Sequence, residues 1–306
     1  MPTTAPGRVR PDGTRAAPGP GAGLLLAALA TVVWSGSFIT SRALHDSVPP
    51  VQAAFWRWVV AVAAVAPFAL RAAWRQRALI RARLPYLLVA SLLGVTLYNT
   101  LVNQAGLTTT AGNMGMIMAA SPVLMALFDR FGGARLGPRR TAGMLLACAG
   151  VVLLVGDGTP SFDPRPGDLW MFGAALSFAA YSALLRRRPP EIDAAVFLFA
   201  TFVTGTLLLA PAFAASVVLQ GGFEPATGTV GPLVYVGVCS SAVAFFAWNR
   251  AVALVGPARA GAVYQLQPVC VALLAHVLLG ESLGGVGLLC MALILGGVAL
   301  AAARET

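Results

Sequence analysis

The chain has 306 residues, of which 58% are hydrophobic and only 10% charged, and it carries a formal net charge of +10. A soluble domain of that size would lack the polar surface needed to coat its core, so the composition excludes one and points to an integral membrane protein. All 21 basic residues are Arg. Their scatter beside apolar runs, rather than in one patch, argues against a nucleic-acid partner.

In chain order, residues 1–21 are rich in Pro, Gly and Arg and read as a disordered tail. Ten mostly apolar stretches follow, near 22–41, 51–70, 85–104, 111–130, 141–156, 168–185, 194–215, 230–249, 258–279 and 284–303. A helix needs about 17–25 such residues to cross roughly 30 Å of hydrocarbon. The alternating ten-residue segments of an outer-membrane barrel are absent. With the N-terminus placed in the cytoplasm, 18 Arg fall in cytoplasmic segments, against Arg42 and Arg165 outside and Arg57 within a span. The positive-inside rule therefore predicts an even number of spans with both termini cytoplasmic. Cys148, Cys239, Cys270 and Cys290 lie in or beside apolar runs without CxxC spacing and read as buried small hydrophobes.

Two prolines reveal a longer pattern. Ala119-Ala-Ser-Pro-Val123 and Gln265-Leu-Gln-Pro-Val269 place Pro122 and Pro268 in the middle of apolar runs, 146 positions apart. At the same offset Asn103-Gln-Ala matches Asn249-Arg-Ala, and Trp34 to Arg42 matches Phe178 to Arg186 at 144. The chain thus reads as two five-span halves, 22–157 and 168–303. Five is odd, so the second half must be inverted, and the charges test this independently. The loop after the second span carries five Arg and its partner, Ser216 to Val230, none; Thr108 to Asn113 is uncharged while its partner holds Arg250 and Arg259. Inverted repeats with interrupted helices near the midplane are the architecture of secondary transporters.

Pro49-Pro-Val-Gln-Ala-Ala-Phe-Trp-Arg-Trp58, Gly167-Asp-Leu-Trp170, Ala175-Leu-Ser-Phe-Ala-Ala-Tyr-Ser182 and the run from Pro257 through Gln267-Pro-Val to Leu279-Gly-Glu281 carry a resemblance. They are similar to EamA-type permeases of the drug/metabolite transporter superfamily. The resemblance implies an all-α membrane protein with ten helices in two EamA repeats, located in the bacterial cytoplasmic membrane and exporting amino acids or related metabolites. One departure is Gly133-Ala-Arg135, where the family has Gly-Glu, as in Gly280-Glu281.

A proline lacks an N–H and clashes with the carbonyl four residues back, so Pro122 and Pro268 are expected to bend their helices and free the oxygens of Met118 and Tyr264. Freed carbonyls at that depth must face protein or a wet cavity. Around them Met118, Tyr264 and Gln267 are candidate substrate contacts, Gln265 being turned away by about 100° on a helix. Trp34, Ser37, Tyr98, Asn99, Tyr181 and Trp248 are the further candidates, since the resemblance implies a central cavity that these residues would line. Arg57, His276 and Glu281 are gating or coupling candidates. Arg57, about two turns inside the second span, is expected to reach outward or to pair with Asp46 or another acid. No deep pair of carboxylates offers an ion relay. No enzyme motif, cofactor motif or metal cluster occurs. The sequence therefore predicts a secondary transporter of small metabolites working by alternating access, with a translocase of lipid-linked sugars, or a subunit of a membrane complex, as the alternative.

Overall fold

A computed structural model describes residues 20–131, 137–155, 165–185, 188–255, 260, 263–282 and 284–302. The tail as far as residue 19 and the Gly133-Ala-Arg135 departure lie outside the described residues. Among those described, all regular structure is helical. In order these are α1 (Pro20–Ala43), α2 (Pro50–Arg75), the short α3 (Arg77–Ala82) and α4, which comprises Leu84–Ser91, a π-helical Leu92–Leu97 and Tyr98–Ala105. Then come α5 (Ala111–Ala119), α6 (Ser121–Phe131), α7 (Pro138–Val155), α8 (Pro166–Leu185) and α9 (Ala194–Gln220). α10 comprises Thr227–Val234, a π-helical Tyr235–Val243 and Ala244–Val255, and α11 (Gln267–Leu279) and α12 (Gly285–Ala302) follow.

Among the described residues six helices are long and apolar enough to cross a membrane, at Gly21–Ala43, Pro50–Arg75, Leu84–Ala105, Pro166–Leu185, Ala194–Gln220 and Thr227–Ala251. The other apolar helices are shorter. Two of the ten expected spans are interrupted by a turn rather than running as one bent helix. Ala120 closes α5 with an i→i−3 bond from its N–H to the Ile117 carbonyl, and the chain restarts at Ser121. Leu266 likewise donates to the Val263 carbonyl in the turn before α11, which starts at Gln267. The breaks therefore precede the prolines, and Pro122 and Pro268 are the second residues of new helices. There a missing N–H costs no hydrogen bond and a fixed φ suits the first turn.

The helix packing is nearly unchanged when the halves are exchanged. α1 packs on α10 and α11, while its counterpart α8 packs on α4 and α6; α2 pairs with α9, and α7 with α12. Among the described residues two large apolar cores result, with four smaller clusters beside them. One holds Phe38, Met114, Met116, Ile117, Met118 and Ile294, and the other Trp58, Val95, Phe197 and Phe202. Many large apolar side chains, including Phe68, Leu207, Val218 and Val277, point outward. In a membrane protein such a surface faces lipid and carries no penalty. Of the cysteines, Cys290 is buried, Cys239 and Cys270 are half-buried and Cys148 is exposed on this apolar exterior, so the expectation that all four are buried is corrected.

Candidate functional site

A cavity of about 380 Å³ lies between the halves, lined from α1, α2, α4 and α6 on one side and from α8, α9, α10 and α11 on the other. That volume falls within the roughly 300–1,000 Å³ of small-molecule sites. One wall is aromatic. The Trp34 ring meets Phe245 at 5.3 Å, Trp248 at 5.5 Å and Tyr264 at 5.8 Å, and Phe202 continues the surface from Phe245 to Trp58.

Beside it runs a polar network that crosses the halves. The Trp34 indole donates to the Ser240 carbonyl at 2.9 Å, and the Ser37 and Ser240 hydroxyls are hydrogen-bonded. Arg57 Nε donates to Ser241 Oγ at 3.2 Å and Nη2 to Ser240 Oγ at 3.4 Å, while the guanidinium lies 5.4 Å from the Trp58 ring centre. Arg57 is only 9% exposed. Asp46 is instead paired with His45, at 2.9 Å. The expected pairing of Arg57 with Asp46 is thus corrected: α2 turns Arg57 towards α10 and its two serines.

Both π segments supply this site. Their i→i+5 pattern leaves carbonyls to be met by side chains, and such segments are frequent at functional positions. In the first, the Val95 carbonyl accepts from Trp58 Nε1 and from Asn99 Nδ2, each at 3.2 Å, and the Leu93 carbonyl from Ser177 at 2.8 Å. In the second, the Val236 carbonyl accepts from Ser241 and the Ser240 carbonyl from Trp34. The Asn99 Oδ1 is buried without a hydrogen-bond partner among the described residues.

Of the residues singled out in the sequence, Trp34, Ser37, Tyr98, Asn99, Tyr181, Trp248, Tyr264 and Gln267 line the cavity, and so does Arg57. Gln265 sits in the turn before α11. Met118 does not line the cavity but packs in the first core at 1% exposure, whereas Met125, two turns further along the broken span, lines it. Pro268 is buried directly after Gln267, whereas the side chain of Pro122 is outside the described set. Sequence reasoning missed Trp58, Met125, Phe178, Thr201, Phe202 and Phe245. Apolar or small residues in apolar runs give no signal of which face they occupy.

His276 and Glu281 stand away from the cavity, at the end of the bundle where α11 closes. Gly280 adopts φ +68 there and ends α11, which directs Glu281 back onto α5. Its carboxylate accepts from the N–H groups of Ala111 and Gly112 at 3.1 and 3.2 Å, and Thr110 Oγ1 accepts from Asn113. The start of α5 is thereby capped from the other half of the chain. His276 Nδ1 lies 3.1 Å from the Glu281 carbonyl oxygen. Nearby, buried Thr109 donates to buried Asp168, and buried Gln52 donates to Ser216 and to the Gly221 carbonyl. The cross-half ties at the opposite end, Arg83 with Glu191 and Gln76 with Asp193, are exposed. The cavity wall extends towards that end through Leu185 and Leu198. A second cavity, of about 320 Å³ among α5, α6, α7 and α8, offers almost only hydrocarbon; its one acid, Asp168, is engaged by Thr109.

A family model described as the EamA-like transporter family matches residues 21–156 and 165–303. An uncharacterized transporter of Archaeoglobus fulgidus is 30% identical over 84% of this chain and 89% of its own length. A probable terminal-alkyne amino-acid exporter of Streptantibioticus cattleyicolor is 29% identical over 83% of this chain and 84% of its own. The aromatic amino acid exporter YddG of Ancylobacter novellus is 31% identical over 61% and 65%. A solved crystal structure at 24% identity superposes with a TM-score of 0.64 over 92% of this chain and 96% of that one, so the fold is shared.

Proposed function

The chain belongs to the EamA-like transporter family, a multi-pass membrane transporter, and from that premise we propose that it exports amino acids or close derivatives across the bacterial cytoplasmic membrane by alternating access. The observation that carries this reading is the cavity itself. Both halves of the chain wall it, broken helices border it, and it combines an aromatic surface with amide, hydroxyl and guanidinium groups. Such a mixture suits a small solute with an apolar body and a polar head. Two relatives named as amino-acid exporters support the same substrate class.

The exchange-symmetric packing supports ten membrane crossings in two inverted five-span repeats, 22–157 and 168–303, with spans four and nine each interrupted by a turn. The Arg-rich loops support a cytoplasmic location for both termini. On that orientation the ties around Glu281, Asp168 and Gln52 close the outer end, and the cavity reaches towards the cytoplasmic end. The conformation is then an inward-facing one, ready to load solute from the cell.

The test is efflux from cells preloaded with a labelled amino-acid mixture. Wild type is expected to speed the loss of selected amino acids, and Gln267→Ala, at equal membrane abundance, to cut that gain roughly tenfold, the worth of about one buried hydrogen bond to a polar solute. If no amino acid responds, the export reading falls and a lipid-linked substrate becomes the reading to test.

A further inference from the structure

Among the described residues Arg57 is a buried cation without an anion. Among the described residues no carboxylate lies within 4 Å of it, and its partners are two serine hydroxyls and the face of Trp58. Nη1 has no partner there at all. Burying a charge is costly unless it is paired, and neutral hydroxyls repay only part of the lost hydration. A buried guanidinium on a cavity wall therefore favours an anion arriving from outside the chain, and its planar fork matches a carboxylate. The second anomaly of the cavity is of opposite sign. Asn99 is 2% exposed and lines the same space, its Nδ2 is committed to the Val95 carbonyl, and its Oδ1 has no donor. The two groups are linked through short contacts, because Trp58, beneath Arg57, donates to the same Val95 carbonyl that Asn99 engages.

We propose that Arg57 and Asn99 form a pair that reads a zwitterion: the guanidinium takes the substrate carboxylate, the Asn99 carbonyl oxygen takes its ammonium, and the Trp34, Trp248 and Tyr264 wall takes the apolar side chain. This rests on the transporter reading for the cavity and narrows its substrate to free amino acids with a large apolar or aromatic side chain. Amidated or decarboxylated derivatives are excluded, because their cationic head would face Arg57 uncompensated.

The experiment is binding to the full-length protein in lipid nanodiscs, followed by tryptophan fluorescence, with phenylalanine, phenylalaninamide and 3-phenylpropionate as probes. Wild type is expected to bind phenylalanine about 10- to 100-fold more tightly than the amide, the range of a lost charge-assisted hydrogen bond, and several-fold more tightly than phenylpropionate. Arg57→Gln should erase the first preference and Asn99→Leu the second, each leaving the other, while Arg57→Lys keeps part of the first. A wild type that fails to separate the three probes overturns the pair, without recourse to any variant, and so does a preference that survives its own substitution. Counterflow of labelled phenylalanine in proteoliposomes separates the two levels. Transport without the probe preferences removes the pair and keeps the transporter reading. The preferences without counterflow keep the pair and remove amino-acid transport. No binding of any probe removes both.

Discussion

Trp34 holds two jobs that a single substitution can separate. Its ring touches Phe245, Trp248 and Tyr264, and its N–H satisfies the Ser240 carbonyl within a π segment. Trp34→Phe keeps most of the ring surface and strands that carbonyl, which costs about 1–3 kcal/mol for an unsatisfied buried polar group. Trp34→Ala also empties the aromatic wall, and large-to-small changes of this kind cost about 3–5 kcal/mol. Thermal unfolding of the purified protein should therefore rank wild type above Trp34→Phe above Trp34→Ala. Equal midpoints for wild type and Trp34→Phe would mean that the indole bond contributes nothing. Arg57 shows why residue-scale roles were only half legible. Its depth can be counted along the second span, but its partners Ser240 and Ser241 lie 183 and 184 positions away in the other half. No local pattern announces such a contact, and the nearest acid in sequence drew the expectation towards Asp46.

At the scale of elements, the prolines were readable because proline acts through covalent geometry whatever surrounds it. The π segments were not. Leu92–Leu97 and Tyr235–Val243 read as ordinary apolar helix, although they end 146 positions apart, the same offset that relates Pro122 to Pro268. Their recurrence in both halves fits the proposed repeat, and each is followed at once by cavity residues, Tyr98 and Asn99 in one case and Phe245 and Trp248 in the other. Gly94 shows how closely the first is fitted. A Cβ there would stand 2.8 Å from the Tyr181 ring, a contact that real side chains do not make, and Tyr181 is itself a wall of the cavity. Gly94→Ala must push that ring away or reshape the π turn. Efflux should fall several-fold at unchanged membrane abundance, and Tyr181→Leu, which leaves room for the methyl, should recover part of the loss when combined with it. Additive losses in the double variant would show that the two positions act separately.

Over the whole molecule, the inverted halves proposed above would make two conformations of similar energy available, and the contacts that differ between the two ends would decide which one is populated. Glu281 makes such a contact, since one carboxylate from the second half satisfies two amides at the start of α5 in the first, where the helix dipole adds to the attraction. A bond of this kind biases the equilibrium only to the extent that it is absent when the outer end opens. Removing it in Glu281→Ala forfeits roughly 1.5–3 kcal/mol in the closed form, enough to raise the outward-open population about 10- to 100-fold. Glu281→Gln, which keeps an acceptor without the charge, should fall between. The readout is the rate at which a membrane-impermeant maleimide, added outside, labels Ser37→Cys in a background whose four native cysteines are replaced, because Ser37 lines the cavity and is buried in the present conformation. Faster labelling in the order Ala, Gln, wild type makes Glu281 the latch of the outer gate. Identical rates in all three would mean that the cap persists through the transport cycle, and that the halves move about it as a fixed pivot.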